Sequence, residues 1–158
     1  MTPIVRGTLA ALIMTAPALS ACDILSPRGD VLRDQLRRNE QLWLSAGPPA
    51  NYSMNVLLVA GVDSEPDLVR VHVEGGAIVG GTYVENDQPV PAAVLADYTT
   101  VSGLFDIIRN ALDRRAPAIA INYHHQYGYP EEIFIDFDGN RTSDDLYIQV
   151  TEMDFNGS

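Results

Sequence analysis

From Asn51 to Val59 apolar and polar residues alternate, with Tyr52, Met54, Val56 and Leu58 in one set of positions and Ser53 and Asn55 in the other. A period of two puts the first set on one face of a β-strand and the second on the opposite face. Val69, Val71 and Val73 alternate with Arg70, His72 and Glu74 in the same way, and Gly75-Gly76 permits a tight turn into a partner strand over 77–84. Three further runs repeat the pattern near the C-terminus: Ile119, Ile121 and Tyr123; Ile133, Ile135 and Phe137; Leu146, Ile148 and Val150.

Two segments change to helical spacing. Asp30 can cap a helix carrying Leu32, Leu36, Leu42 and Trp43 and ending at Gly47-Pro48-Pro49. After a proline-containing loop over 89–96, Thr99 or Thr100 can cap a second helix with Val101, Leu104, Phe105, Ile108 and Leu112 on one stripe. Arg114 and Arg115 suit the negative end of its dipole, and Pro117 stops it. The order is αβββαβββ. Alternating strands with short connections favour antiparallel pairing, so the expected class is α+β, with two helices on one face of a mostly antiparallel sheet. The two αβββ halves share no convincing residue-level similarity.

Composition agrees with one domain: 158 residues, 46% hydrophobic and 20% charged. The first stretch stands apart. Arg6 precedes an apolar run over 8–16 that stops at Pro17, too short to span a bilayer, and residues 1–21 read as a signal peptide. The Leu19-Ser20-Ala21-Cys22 that follows resembles the lipobox of bacterial lipoproteins, which implies acylation of Cys22 and the lipid bilayer as a partner. Each buried acyl methylene contributes about 0.8 kcal/mol, so two or three chains make attachment stable. Cys22 is the single cysteine, which excludes a disulfide within one chain. Asp23 resembles an inner-membrane retention signal; it favours the periplasmic face of that membrane and leaves the outer membrane open. Residues 22–29 form the expected tether, reaching some 25–30 Å when extended, and 30–156 the single folded domain.

Net charge is −11, and loss of Arg6 with the leader makes the mature chain one unit more negative. Such a chain repels nucleic acid and anionic lipid. All ten basic residues are arginine. Arg28, Arg33, Arg37 and Arg38 gather near the anchor with Asp30, Asp34 and Glu40 among them, the pattern of a solvated helix face with local ion pairs.

Trp43 before Asn51-Tyr52-Ser53, the Val69/Val71/Val73 strand, Thr100-Val101-Ser102-Gly103-Leu104-Phe105 and, above all, Asn122-Tyr123 through Gly128-Tyr129-Pro130 to Ile133-Phe134-Ile135-Asp136 occur in a telling order. In these blocks the chain resembles a family of small bacterial secreted proteins and lipoproteins known only as domain of unknown function 6174. The resemblance implies a fold and an envelope address, and no activity. Many members carry cysteines in or just after the first strand, where this chain has Leu57, Leu58, Val59 and Gly61; any role tied to those cysteines is absent here.

The densest chemistry lies at Tyr123, His124, His125, Tyr127 and Tyr129, with Asp136 and Asp138 beyond. Adjacent histidines on a strand point to opposite faces and cannot share a metal ion without a loop conformation. Tyrosines with a polar tip suit a recognition surface; a hairpin whose Gly128-Tyr129-Pro130 fixes the turn and packs on the core is the plainer reading. Asp136 to Asp145 resembles a calcium loop superficially, but Arg141 stands where glycine is wanted and Tyr147 where glutamate is wanted, so an acidic solvated turn is expected. No nucleophile elbow, phosphate-cradling loop or zinc motif is present, and no cofactor or metal is expected. The function expected is a non-catalytic envelope module binding a protein or cell-wall component through the Tyr123–Tyr129 segment, Asp136 and Asp138. The alternative is a small periplasmic hydrolase or ligand-binding enzyme pairing His124 or His125 with a carboxylate such as Asp136.

Overall fold

Strand alternation has a direct structural outcome: Met54, Val56, Val69, Val71, Val73, Ile133, Ile135 and Ile148 are all buried together. The computed structural model describes residues 27–48, 50–61, 66–140 and 144–155. Strands β1 (Tyr52–Ala60), β2 (Leu68–Glu74), β3 (Ala77–Tyr83), β4 (Ala118–Tyr123), β5 (Pro130–Asp136) and β6 (Leu146–Asp154) form one sheet of order β3-β2-β1-β6-β5-β4. Every neighbouring pair is antiparallel. Helices α1 (Pro27–Ser45) and α3 (Val101–Asp113) pack on its apolar side. The other side carries no helix among the described residues.

The α+β class and the antiparallel sheet agree with expectation, whereas the helix count does not. Ala92–Leu95 forms a further helix, α2, making three helices among the described residues and the order αβββααβββ. A single turn is too short to show a 3.6-residue period, and Pro91 leads into it in an extended conformation. Leu95 of α2 packs over Gly81 of β3. The neighbouring segment runs along the outer edge of β3, where the N–H of Tyr83 donates to Gln88 O and that of Val90 to Gly81 O, both at 2.9 Å. The two αβββ halves are not equivalent, because β1 is central while β4, its counterpart by order, is an edge.

Helix α1 begins at Pro27, earlier than the expected cap and domain edge at Asp30, which sits in the first turn instead. Proline is well suited to a first turn, where its missing N–H costs nothing, and the aspartate favours the positive dipole end. The expected leader 1–21, Cys22 and Asp23 lie outside the described residues.

The arginines tie the helices together. Arg109 on α3 makes a two-pronged contact with Glu40 on α1 at 2.8 and 2.9 Å, and Arg33 on α1 reaches Asp113 at 2.7 Å and Leu112 O at 2.8 Å. At the head of α3, Thr100 accepts the N–H of Gly103 at 3.3 Å and the buried Tyr52 hydroxyl accepts that of Val101 at 3.0 Å. Tyr52 thereby locks the first strand to the start of the helix that covers it.

Candidate functional site

The sequence singles out the β4–β5 connection, and the structure brings its aromatic residues together. Residues 124–128 turn back on themselves, with His124 N–H donating to Tyr129 O at 2.9 Å and Gly128 N–H to His124 O at 2.8 Å. The two histidines therefore do not point to opposite faces. In the turn their rings stack at 5.0 Å, and His124 also stacks on Tyr127 at 5.1 Å and Tyr129 at 4.8 Å. His124 Nδ1 accepts the N–H groups of Gln126 and Tyr127, each at 3.2 Å.

Much of this cluster faces inward. Tyr129 is buried and meets Trp43 of α1 edge to face at 6.0 Å; Trp43 in turn meets Tyr52, and Tyr127 meets Phe155. Burial first, then the charge of Glu131 and the neighbouring Tyr127, push the Tyr129 hydroxyl up to about 12. Tyr123 packs beside Phe105, and burial with the nearby Glu40 carboxylate raises its hydroxyl further. Gly128, at φ +76°, lies so close to α1 that a Cβ there would meet the Asn39 carbonyl oxygen and stand 3.0 Å from Leu42 Cβ. The exposed tip is His125 and Gln126.

Asp136 and Asp138 lie at the other end of the hairpin. Tyr123 pairs with Pro130 and Ala118 with Asp136, so six residues of strand, about 20 Å at 3.3 Å per residue, separate the histidines from Asp136. The histidine–Asp136 pairing required by the hydrolase alternative is not made. Asp136 Oδ1 instead accepts the N–H groups of Asp138 and Gly139 at 3.1 and 2.6 Å, closing a turn. Asp136, Asp144 and Asp145 bring carboxylate oxygens within 4.8 Å of one another, and Asp138 is not among them. Burial, then Asp136 and Asp144, raises the Asp145 carboxyl.

A site that sequence reasoning missed lies on the helix-free face. A groove of about 670 Å³ is lined by Ser53, Asn55, Arg70, His72, Glu152 and Asp154, among others. Asn55, only 3% exposed, sits at its centre: its amide donates to Glu152 at 2.9 Å and its oxygen accepts from Arg70 at 3.0 Å. Strict alternation along β6 would send Glu152 to the buried side with Ile148 and Val150. A bulge between Val56 and Asn55 leaves Thr151 unpaired and sets Glu152 opposite Asn55, turning the carboxylate into the groove.

Further along the same face, Glu132 accepts from Asn122 at 2.6 Å and from the Tyr147 hydroxyl at 2.9 Å. Leu57 lies level with Gln149 and Glu132, and Val59 and the exposed Phe134 lie level with Tyr147. His72, Ser53 and Asp154 are cross-strand neighbours in that order. A serine triad needs the imidazole between hydroxyl and carboxylate, and here the serine is in the middle.

A family model described as a family of unknown function, DUF6174, matches residues 35–155, a span that takes in most of α1, the whole sheet and both faces just described. No curated protein matches the chain.

Proposed function

The chain belongs to the DUF6174 family, and from that premise we propose that it is a non-catalytic binding module of the bacterial envelope, held at a membrane by lipid on Cys22. The observation that carries the binding reading is the helix-free sheet face. A buried Asn55 bonds both Arg70 and Glu152, next to Leu57 on the same face of β1. Hydrogen-bonded polar groups beside apolar side chains suit a protein–protein interface. Among the described residues that face does not line up a nucleophile, a base and an orienting acid in that order.

The partner is an envelope protein whose contact rim is basic, since the chain carries net −11 and opposite charge speeds encounter and sets register. That α1 starts at Pro27, close in sequence to Cys22, supports a domain held near the lipid surface. Asp23 favours the periplasmic face of the inner membrane.

The test uses a photo-crosslinking residue in the full chain at His72, on the open face, and at Leu44, which is exposed on α1. One partner captured from position 72, absent from position 44 and lost on Arg70→Glu, is the expected result. Equal capture from both positions, or capture indifferent to Arg70→Glu, overturns the proposal. Labelled palmitate incorporated into the chain and lost in Cys22→Ser checks the anchor.

A further inference from the structure

The helix side of the sheet is not sealed everywhere. Where the α2–α3 connection meets it, a cavity of about 490 Å³ opens over β1 and β6. Its floor includes Leu58, Leu104, Ile107 and Ile148, two of which, Leu104 and Ile148, belong to the buried core. Its rim carries Asp67, Asp97 and Tyr98, and none of the described residues lining it is basic. The volume falls within the range of about 300–1,000 Å³ occupied by small-molecule sites, which are characteristically apolar with a few convergent polar groups.

The rim has a defined sign. The Tyr98 hydroxyl reaches the main-chain oxygen of Asp67 at 3.4 Å, a long contact linking the connection to the start of β2. Burial raises the pKa of that hydroxyl, and the charges of Asp67, Tyr83 and Asp97 raise it further. Burial disfavours an ion of either sign, but the carboxylates of Asp67 and Asp97 on the rim favour a cation over an anion.

We infer that this cavity binds a small molecule with an aliphatic body and one cationic head, an alkylamine or quaternary ammonium compound. The body lies against Leu58, Leu104, Ile107 and Ile148, and the head sits between Asp67 and Asp97. An anionic head would face two like charges. The site lies on the opposite side of the sheet from the partner-binding face, so either can fail without the other.

Methyl NMR of the full chain titrated with hexylammonium, 1-hexanol and hexanoate tests it. Saturable shifts at the Leu58, Leu104 and Ile107 methyls are expected, with hexylammonium binding about fivefold or more tighter than hexanol, as rim charges at close range imply, and hexanoate weakest. The double variant Asp67→Asn/Asp97→Asn should remove the amine's advantage and leave hexanol unchanged. Ile107→Trp should fill the cavity and abolish all shifts, the distant Val71 methyls reporting that the fold is intact. No saturable shift, hexanoate binding as tight as hexylammonium, or a preference for the amine that survives the double variant overturns the inference.

Discussion

Gly128→Ala tests whether the aromatic turn is a packing device. Gly128 and Gly75 both have positive φ, +76° and +57°, but a Cβ at Gly75 would meet nothing within 4 Å while one at Gly128 would press into α1 at Asn39 and Leu42. Left-handed backbone costs an alanine about 1–2 kcal/mol, offset by about 0.4–1 kcal/mol from the reduced freedom of the unfolded chain. That net cost is common to Gly75→Ala and Gly128→Ala. Only Gly128→Ala adds the strain of forcing a methyl against a helix, about 1–3 kcal/mol. For a domain of this size, about 4 °C per kcal/mol puts the melting temperature of Gly128→Ala some 4–12 °C below that of Gly75→Ala. Calorimetry on the two variants side by side measures the gap. A gap under about 2 °C would refute docking of the turn on α1 and return residues 124–128 to the status of a free recognition loop.

Three further outcomes follow from the same geometry. Tyr52→Phe should cost about 1–3 kcal/mol in urea unfolding, because the buried N–H of Val101 loses its acceptor; a change below 0.5 kcal/mol on the same order-of-magnitude scale would show the bond to be dispensable. Asp145 has a raised carboxyl pKa in the fold, so its favourable contribution is complete below its ordinary value of 3.8 and is lost as pH rises through the folded value. Asp145→Asn should therefore be more stable than the parent at pH 7 and equal to it near pH 3, and urea midpoints that differ by the same amount at both would contradict this. Tyr129, pushed up to about 12 from 10.0, contributes stability that is full below pH 10 and declines toward pH 12; Tyr129→Phe should lose that alkaline dependence, read by circular dichroism across the range.

The framework was legible because period-two alternation reports directly which side of a strand is wet. Val69, Val71 and Val73 fell on the buried face as their spacing requires, and Leu104, Phe105 and Ile108 on the buried stripe of α3. Legibility failed where one residue breaks the period. Thr151 is the extra residue of a bulge, and only pairing with β1 across most of the chain reveals that Glu152 turns toward Asn55 and Arg70. The histidine pair failed for a related reason: strand geometry was assumed for residues that are in a turn. Helix α2 is a single turn, below the length at which a helical repeat is visible. The chemistry-rich segment 123–130 attracted attention by composition, but tyrosine and tryptophan are equally good at filling a core, and Trp43 supplies the opposite wall.

The strand order also governs when the molecule can become itself. The central seam joins β1 to β6, with Ser53 opposite Asp154, so the middle of the sheet unites the two ends of the domain. Each three-strand flank is local in sequence, yet neither has a complete core until the last strand arrives. Such distant pairing means high contact order and slow acquisition of structure, and a nascent chain cannot complete its fold before the last strand has emerged. A truncation after Asp145 would remove β6 whole and leave β3-β2-β1 and β5-β4 with no strand to join them.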